Sequence, residues 1–193
     1  MSELIKPGAG VLYMKVGTHA QESLADIIKR KTKEIEDEGM AFWGYGGTTC
    51  HPLSMVQPFA EMFQKKGQPI HLIMQEMDSR HSKDPVRADQ YSIDHVNWVD
   101  IPSGIHVLGS KYALVLKTLQ KDKFQLHLDQ TRVPVGPSAG RVGTRYLRGQ
   151  VDKACLEVLD HREISNEDDA KEVDISLVAE LEAPYAVFLR NKP

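Results

Sequence analysis

Between residues 174 and 182 apolar Ile175, Leu177, Ala179 and Leu181 are spaced two apart, and Asp174, Ser176, Glu180 and Glu182 fall between or beside them. A period of two sends successive side chains to opposite sides of a strand, so this segment belongs on a sheet with one buried face and one wetter face. Few other patterns restrict the choice of fold so strongly. Ala183-Pro184 then predicts a break, followed by another strand over residues 185–189.

Shorter apolar and aromatic runs predict further strands at residues 11–16, 41–45, 70–77 and 105–108. Residues 112–118 are apolar on both faces and predict a central strand. The polar turn Gln120-Lys121-Asp122-Lys123 leads into an alternating run at 124–129, which predicts a hairpin with 112–118. Leu24, Ile27, Ile28 and Ile35 recur at helical spacing, with Thr18 and Gln21 as a capping pair and Gly39 as the stop. A second helix is predicted over 52–66 from Leu53, Val56, Ala60 and Phe63, ending at Gly67. Pro58 conflicts with a helix interior and moves the predicted start toward Ser54. Val151, Ala154, Cys155, Val158 and Leu159 match a helical stripe and predict a third helix.

Strands outnumber helices, and several are joined by short turns. The pattern predicts an α+β fold: one globular domain over residues 1–193, a largely antiparallel sheet, and two or three helices. Closure of that sheet into a barrel stands as an alternative. At 193 residues such a chain can bury a core without disulfides or metals.

No apolar run approaches the ~20 residues needed to span a bilayer. The segment Met1-Ser2-Glu3-Leu4-Ile5-Lys6-Pro7 lacks the features of a secretory signal, and two cysteines do not make a disulfide framework. The expectation is a cytoplasmic chain with no membrane partner, no cofactor and no metal. Asp78, His81, Asp84, Asp94 and His95 match no standard metal spacing and predict solvated loop residues.

Charge is unevenly spread. Residues 131–150 hold Arg132, Arg141, Arg145 and Arg148 and no acid, whereas residues 157–182 hold ten acids against Arg162 and Lys171, a net of −8. That distribution argues against a basic surface for long nucleic acid but allows a local anion pocket. Asn166-Glu167-Asp168-Asp169 predicts a loop or helix start within the acidic tract.

The candidate site is the run Phe42-Trp43-Gly44-Tyr45-Gly46-Gly47-Thr48-Thr49-Cys50-His51-Pro52. A strand that turns through glycines into a helix presents unpaired N–H groups and the positive end of a helix dipole, both of which favour an anion. Gly44, Gly46 and Gly47 allow close approach, Thr48 and Thr49 add hydroxyls, and Trp43 or Tyr45 supplies a ring to stack on. Arg141, Arg145 and Arg148 offer guanidinium groups for phosphate. Together they predict binding of a small anionic, nucleotide-like ligand. The phosphate-loop lysine motif and the dinucleotide fingerprint are both missing.

Two other function classes fit the same residues. Cys50 near a helix start, with His51 beside it, suits a cysteine-dependent hydrolase or transferase acting on a nucleotide-like substrate. Its base would be His51 or a distant His19, His71, His106 or His127, the last oriented by Asp129. An inert, packed cysteine is the competing expectation for Cys50, and more so for Cys155. The third class is an interaction module whose aromatic loop docks a protein or an extruded base, with single-stranded nucleic acid and a second copy of the chain as its alternative partners. Trp98 is expected in the core, with a second aromatic wall to the pocket as its alternative.

Overall fold

The computed structural model describes residues 2–46, 49–81, 84–147, 151–163 and 172–192. In chain order the first strands are β1 (Gly10–His19), β2 (Ala41–Tyr45), β3 (Ile70–His81), β4 (Gln90–Ser92) and β5 (Val99–Asp100). They are followed by β6 (Tyr112–Leu116), β7 (Gln120–His127), β8 (Thr131–Arg132), β9 (Lys153–Val158) and β10 (Glu172–Arg190). The helices are α1 (Leu24–Glu38), α2 (Gln57–Lys65) and α3 (Gly143–Tyr146). The architecture is α+β with a mostly antiparallel sheet. Its pairing path β2-β6-β10-β3-β1-β9-β8 ends in two different strands, so the sheet is open and the barrel alternative fails. Among the described residues, no helix is long and apolar enough to cross a membrane.

The chain divides into two compact units. The first comprises Met1–Lys15, Thr49–Glu76 and Gln120–Val178. The second comprises Val16–Thr48, Met77–Leu119 and Ala179–Pro193.

In the first unit β9 lies between β1 and β8, both antiparallel to it, with Cys155 opposite Leu12 and Val158 opposite Thr131. The helix expected over 151–159 is therefore a strand. Lys153, Ala154, Cys155 and Leu156 are all buried, and a short apolar run covered on both faces satisfies either period. Packing decides between them. Ile5, Val11, Tyr13, Ile73, Leu126, Leu156 and Ile175 share one buried cluster. The expected second helix is split in two. Pro52–Val56 forms a π-helical turn, and α2 then starts at Gln57. Pro58 thus falls in the first turn of α2, where its missing N–H costs nothing.

In the second unit β6 is central, antiparallel to β2 on one side and to residues 181–188 of β10 on the other. β7 does not fold back on β6 as predicted. It pairs instead with residues 172–178 of β10. Ala183-Pro184 leaves β10 as one element. The irregularity appears as a register shift between Leu181 and Ala186, where Tyr185 takes a φ of 68°. Residues 105–108 are not a strand. Ile105 and Val107 instead cover one sheet face, packed with Phe42, Ala113, Val115 and Val187.

α1 is capped by Ser23, not Thr18, because β1 runs on to His19. The Ser23 hydroxyl accepts the Asp26 N–H at 3.2 Å, and Gly39 ends the helix at a φ of 80° with its N–H on the Ile35 carbonyl. Lys31 and Glu34, both on this helix, are buried. The Lys31 ammonium donates to Glu34 Oε2 at 2.8 Å and to the His106 carbonyl at 2.5 Å. Glu34 Oε1 accepts the His106 N–H at 3.0 Å and an Arg30 N–H at 3.0 Å. These bonds tie residues 105–107 to the helix. Burial is the dominant influence on Lys31 and lowers its pKa to about 8, against the opposing pull of Glu34.

Candidate functional site

The predicted site residues are distributed over both units. Trp43, Gly44, Tyr45 and Gly46 belong to the second unit, and Thr49, Cys50, His51, Arg141 and Arg145 to the first. Gly47, Thr48 and Arg148 lie outside the described residues, as does the 166–169 segment.

In the first unit the Cys50 thiol is buried, and its hydrogen-bond partner is Cys155, with Sγ to Sγ at 3.6 Å. Both cysteines are free. His51 caps the π-helical turn, its Nδ1 accepting the Leu53 N–H at 3.3 Å. That bond places the proton of the neutral ring on Nε2. The nucleophile reading is thus left with a thiol closed to solvent and paired to another thiol. His127 and Asp129 do not bond each other as the strand pattern predicts, because β7 ends at His127 and Asp129 sits on the 3₁₀ turn Leu128–Gln130. Each instead meets Arg162, at 3.4 Å from His127 Nδ1 and 3.8 Å from Asp129 Oδ2. Arg141 and Arg145 are exposed, Arg145 on the short α3. Gly136, at a φ of 82°, packs where a Cβ would stand 2.3 Å from Met55 Sδ, so the arginine-bearing loop closes against the π-helical turn.

In the second unit the glycines have separate causes. A Cβ on Gly44 would lie 2.4 Å from Ser110 Oγ and 3.3 Å from Val107 Cγ2. This glycine allows the covering loop to approach the strand. At Gly46 the same position is open space and the residue is exposed. Alternation along β2 sets Trp43 and Tyr45 on one face and Phe42 and Gly44 on the other. Trp43 and Tyr45 are buried.

Tyr45 begins a row of rings that the strand register creates. It lies opposite Tyr112, and Tyr112 lies opposite Phe188. Their ring centroids are 6.1 Å and 5.5 Å apart. Phe188 then meets His95 at 4.6 Å, and His95 meets Trp98 edge-on at 5.5 Å. The Arg190 guanidinium lies 4.1 Å from the centre of the Trp98 ring. Tyr45 and Phe188 are buried, Tyr112 and Trp98 half-buried, and His95 exposed, so the row opens to solvent at its His95–Trp98 end. Trp98 is a wall of this edge, not a core anchor.

Asp94 fixes the turn that carries both open rings. Its carboxylate accepts the N–H groups of Asn97 and Val96 at 2.7 and 2.8 Å, the Asn97 side chain at 2.6 Å and the Ser92 hydroxyl at 2.9 Å. Those bonds, chiefly the one from the Asn97 backbone, hold its pKa well below the ordinary carboxylate range. His95 takes a left-handed φ of 63° within this turn. Behind the rings, Arg190 Nε donates to Gln90, Gln90 donates to Asp100, and Lys192 donates to Asp100. Asp89 accepts the Lys192 N–H. Cations and carboxylates at this edge therefore offset each other, which suits an uncharged ring better than a polyanion.

Tyr112, Phe188 and Arg190 escape the sequence reading, which takes His95 only as a solvated loop residue, because the register that aligns the rings joins segments far apart in the chain. The only local sign is the grouping of Ser92, Asp94 and Asn97, side chains that bond neighbouring main chain in turns. Comparison with protein-family models, with curated proteins and with solved structures finds no match.

Proposed function

We propose that the protein is a binding module for a planar, nucleobase-like ring, received at the His95–Trp98 edge of the second unit. The observation that carries this reading is the cross-strand row of rings from Tyr45 to Trp98, backed by Arg190 and ending at solvent. Stacking of a base on an aromatic side chain is worth roughly 1–3 kcal/mol and tolerates different bases. The Asp94 turn pre-orders the edge, so little conformational freedom is lost on binding. This narrows the broader expectation of a small anionic, nucleotide-like ligand. The ring has support in the row, whereas the exposed Arg141 and Arg145 that would hold the anion belong to the first unit.

Isothermal titration of nucleosides and their monophosphates tests the assignment. Saturable binding of at least one nucleoside is expected, with Trp98→Ala weakening it about tenfold or more. If monophosphates bind and the matching nucleosides do not, even at ~1 mM, the anion dominates and ring recognition at Trp98 fails.

A protein-docking reading has its own observation. Ile93, Val96 and Val99 are 48%, 75% and 54% exposed beside these rings. Clustered apolar exposure next to Trp and Arg is the usual composition of a protein interface. In that case Val96→Asp would abolish partner binding or self-association and leave nucleoside binding intact.

A further inference from the structure

We propose that Cys50 and Cys155 are a redox modification site, closing reversibly to an intrachain disulfide when the protein meets a peroxide. The two residues are 105 positions apart, yet their sulfurs lie 3.6 Å from each other. A disulfide needs an S–S separation near 2.05 Å, so about 1.5 Å of approach completes the bond. Cys155 is fixed within β9, opposite Leu12 of β1. Cys50 stands in a turn just before the π-helical segment, so the movement falls on its side. Both thiols are buried, which screens them from bulky thiol reagents but not from hydrogen peroxide admitted by local opening of that turn.

The order of steps follows from the surroundings. The hydrogen bond to Cys50, reinforced by burial, pushes the Cys155 thiol well up. Cys50, in the turn that opens, meets the peroxide first, and Cys155, fixed within β9, stays behind it. The Cys50 sulfur displaces one oxygen of the peroxide, breaking the O–O bond and giving Cys50 sulfenic acid and water. The Cys155 sulfur then attacks the Cys50 sulfur, the S–O bond breaks, and the hydroxyl leaves as a second water with the Cys155 proton. Two thiols lose two electrons and one peroxide gains them.

The experiment is peptide mapping of the intact protein after mild hydrogen peroxide, with free thiols alkylated only after denaturation. A Cys50–Cys155 linked peptide that reverts with dithiothreitol is expected. Melting should rise by about 5–10 °C, because the bond closes a loop of more than a hundred residues. In Cys155→Ser, no linked peptide should form and Cys50 should stop as sulfenic acid, captured by dimedone present during denaturation. Recovery of both cysteines as free thiols in the wild type, or linkage only between molecules, would overturn the proposal. Absence of a captured sulfenic acid at Cys50 in Cys155→Ser would overturn the order of attack.

Discussion

Replacing Lys31 by Met tests the electrostatics of the second unit quantitatively. The ammonium is buried and its pKa falls from an ordinary 10.5 to about 8. Between those values the unfolded chain holds a proton that the folded chain has released, so stability rises with pH across the window. The benefit is complete above the unfolded pKa and is lost as pH falls through the folded one. At 1.36 kcal/mol per pH unit, the full span amounts to about 3 kcal/mol, of which about 2 kcal/mol is gained between pH 7 and pH 9.5. Met fills much of the same volume with no charge to desolvate. Urea unfolding at pH 7, 8, 9 and 9.5, compared between wild type and Lys31→Met, isolates the Lys31 contribution. Tyr13, whose pKa is raised mainly by burial, adds a trend of opposite sign above its ordinary value, but both proteins share it. The wild type should gain about 2 kcal/mol on the variant by pH 9.5. Parallel profiles would refute the claim that burial outweighs Glu34 at this site.

The two glycines of the candidate loop should separate cleanly. Gly44→Ala forces a Cβ against Ser110 and Val107 and should cost about 1–3 kcal/mol in urea unfolding, whereas Gly46→Ala, facing open space, should change stability by less than about 0.5 kcal/mol. Equal effects would remove the packing explanation for Gly44. Asp94 should stay ionised in a carboxyl NMR titration at about pH 3, where an ordinary aspartate is mostly protonated. Removing the carboxylate that holds the turn, in Asp94→Ala, should lower nucleoside affinity at neutral pH.

Local patterns were legible where one element needed only its own residues. β2 spans the predicted 41–45, α1 carries the predicted apolar stripe and stops at Gly39, and β6 is the central strand its two apolar faces require. Expectations that depended on partners went differently. The segment 151–159 became a strand because β1 and β8 bury it from both sides. The hairpin of β6 with β7 gave way to two separate ladders on β10. The candidate site follows the same division. The aromatic and glycine run marks Trp43, Gly44 and Tyr45, yet the rings that extend Tyr45 to solvent come from β6, β10 and the Asp94 turn. Cys50 looks like a helix-start nucleophile until Cys155, distant in sequence, is brought to its sulfur. Long-range register is the physical quantity a single sequence carries least well.

The most direct measurement is an NMR titration that follows the indole N–H signals of Trp43 and Trp98 and the ring protons of His95 while a nucleoside is added. Trp98 and His95 should shift together and saturate, while buried Trp43 stays in place. Saturable shifts confined to residues 49–51 and 141–146, with Trp98 unmoved, would contradict ring recognition at this edge.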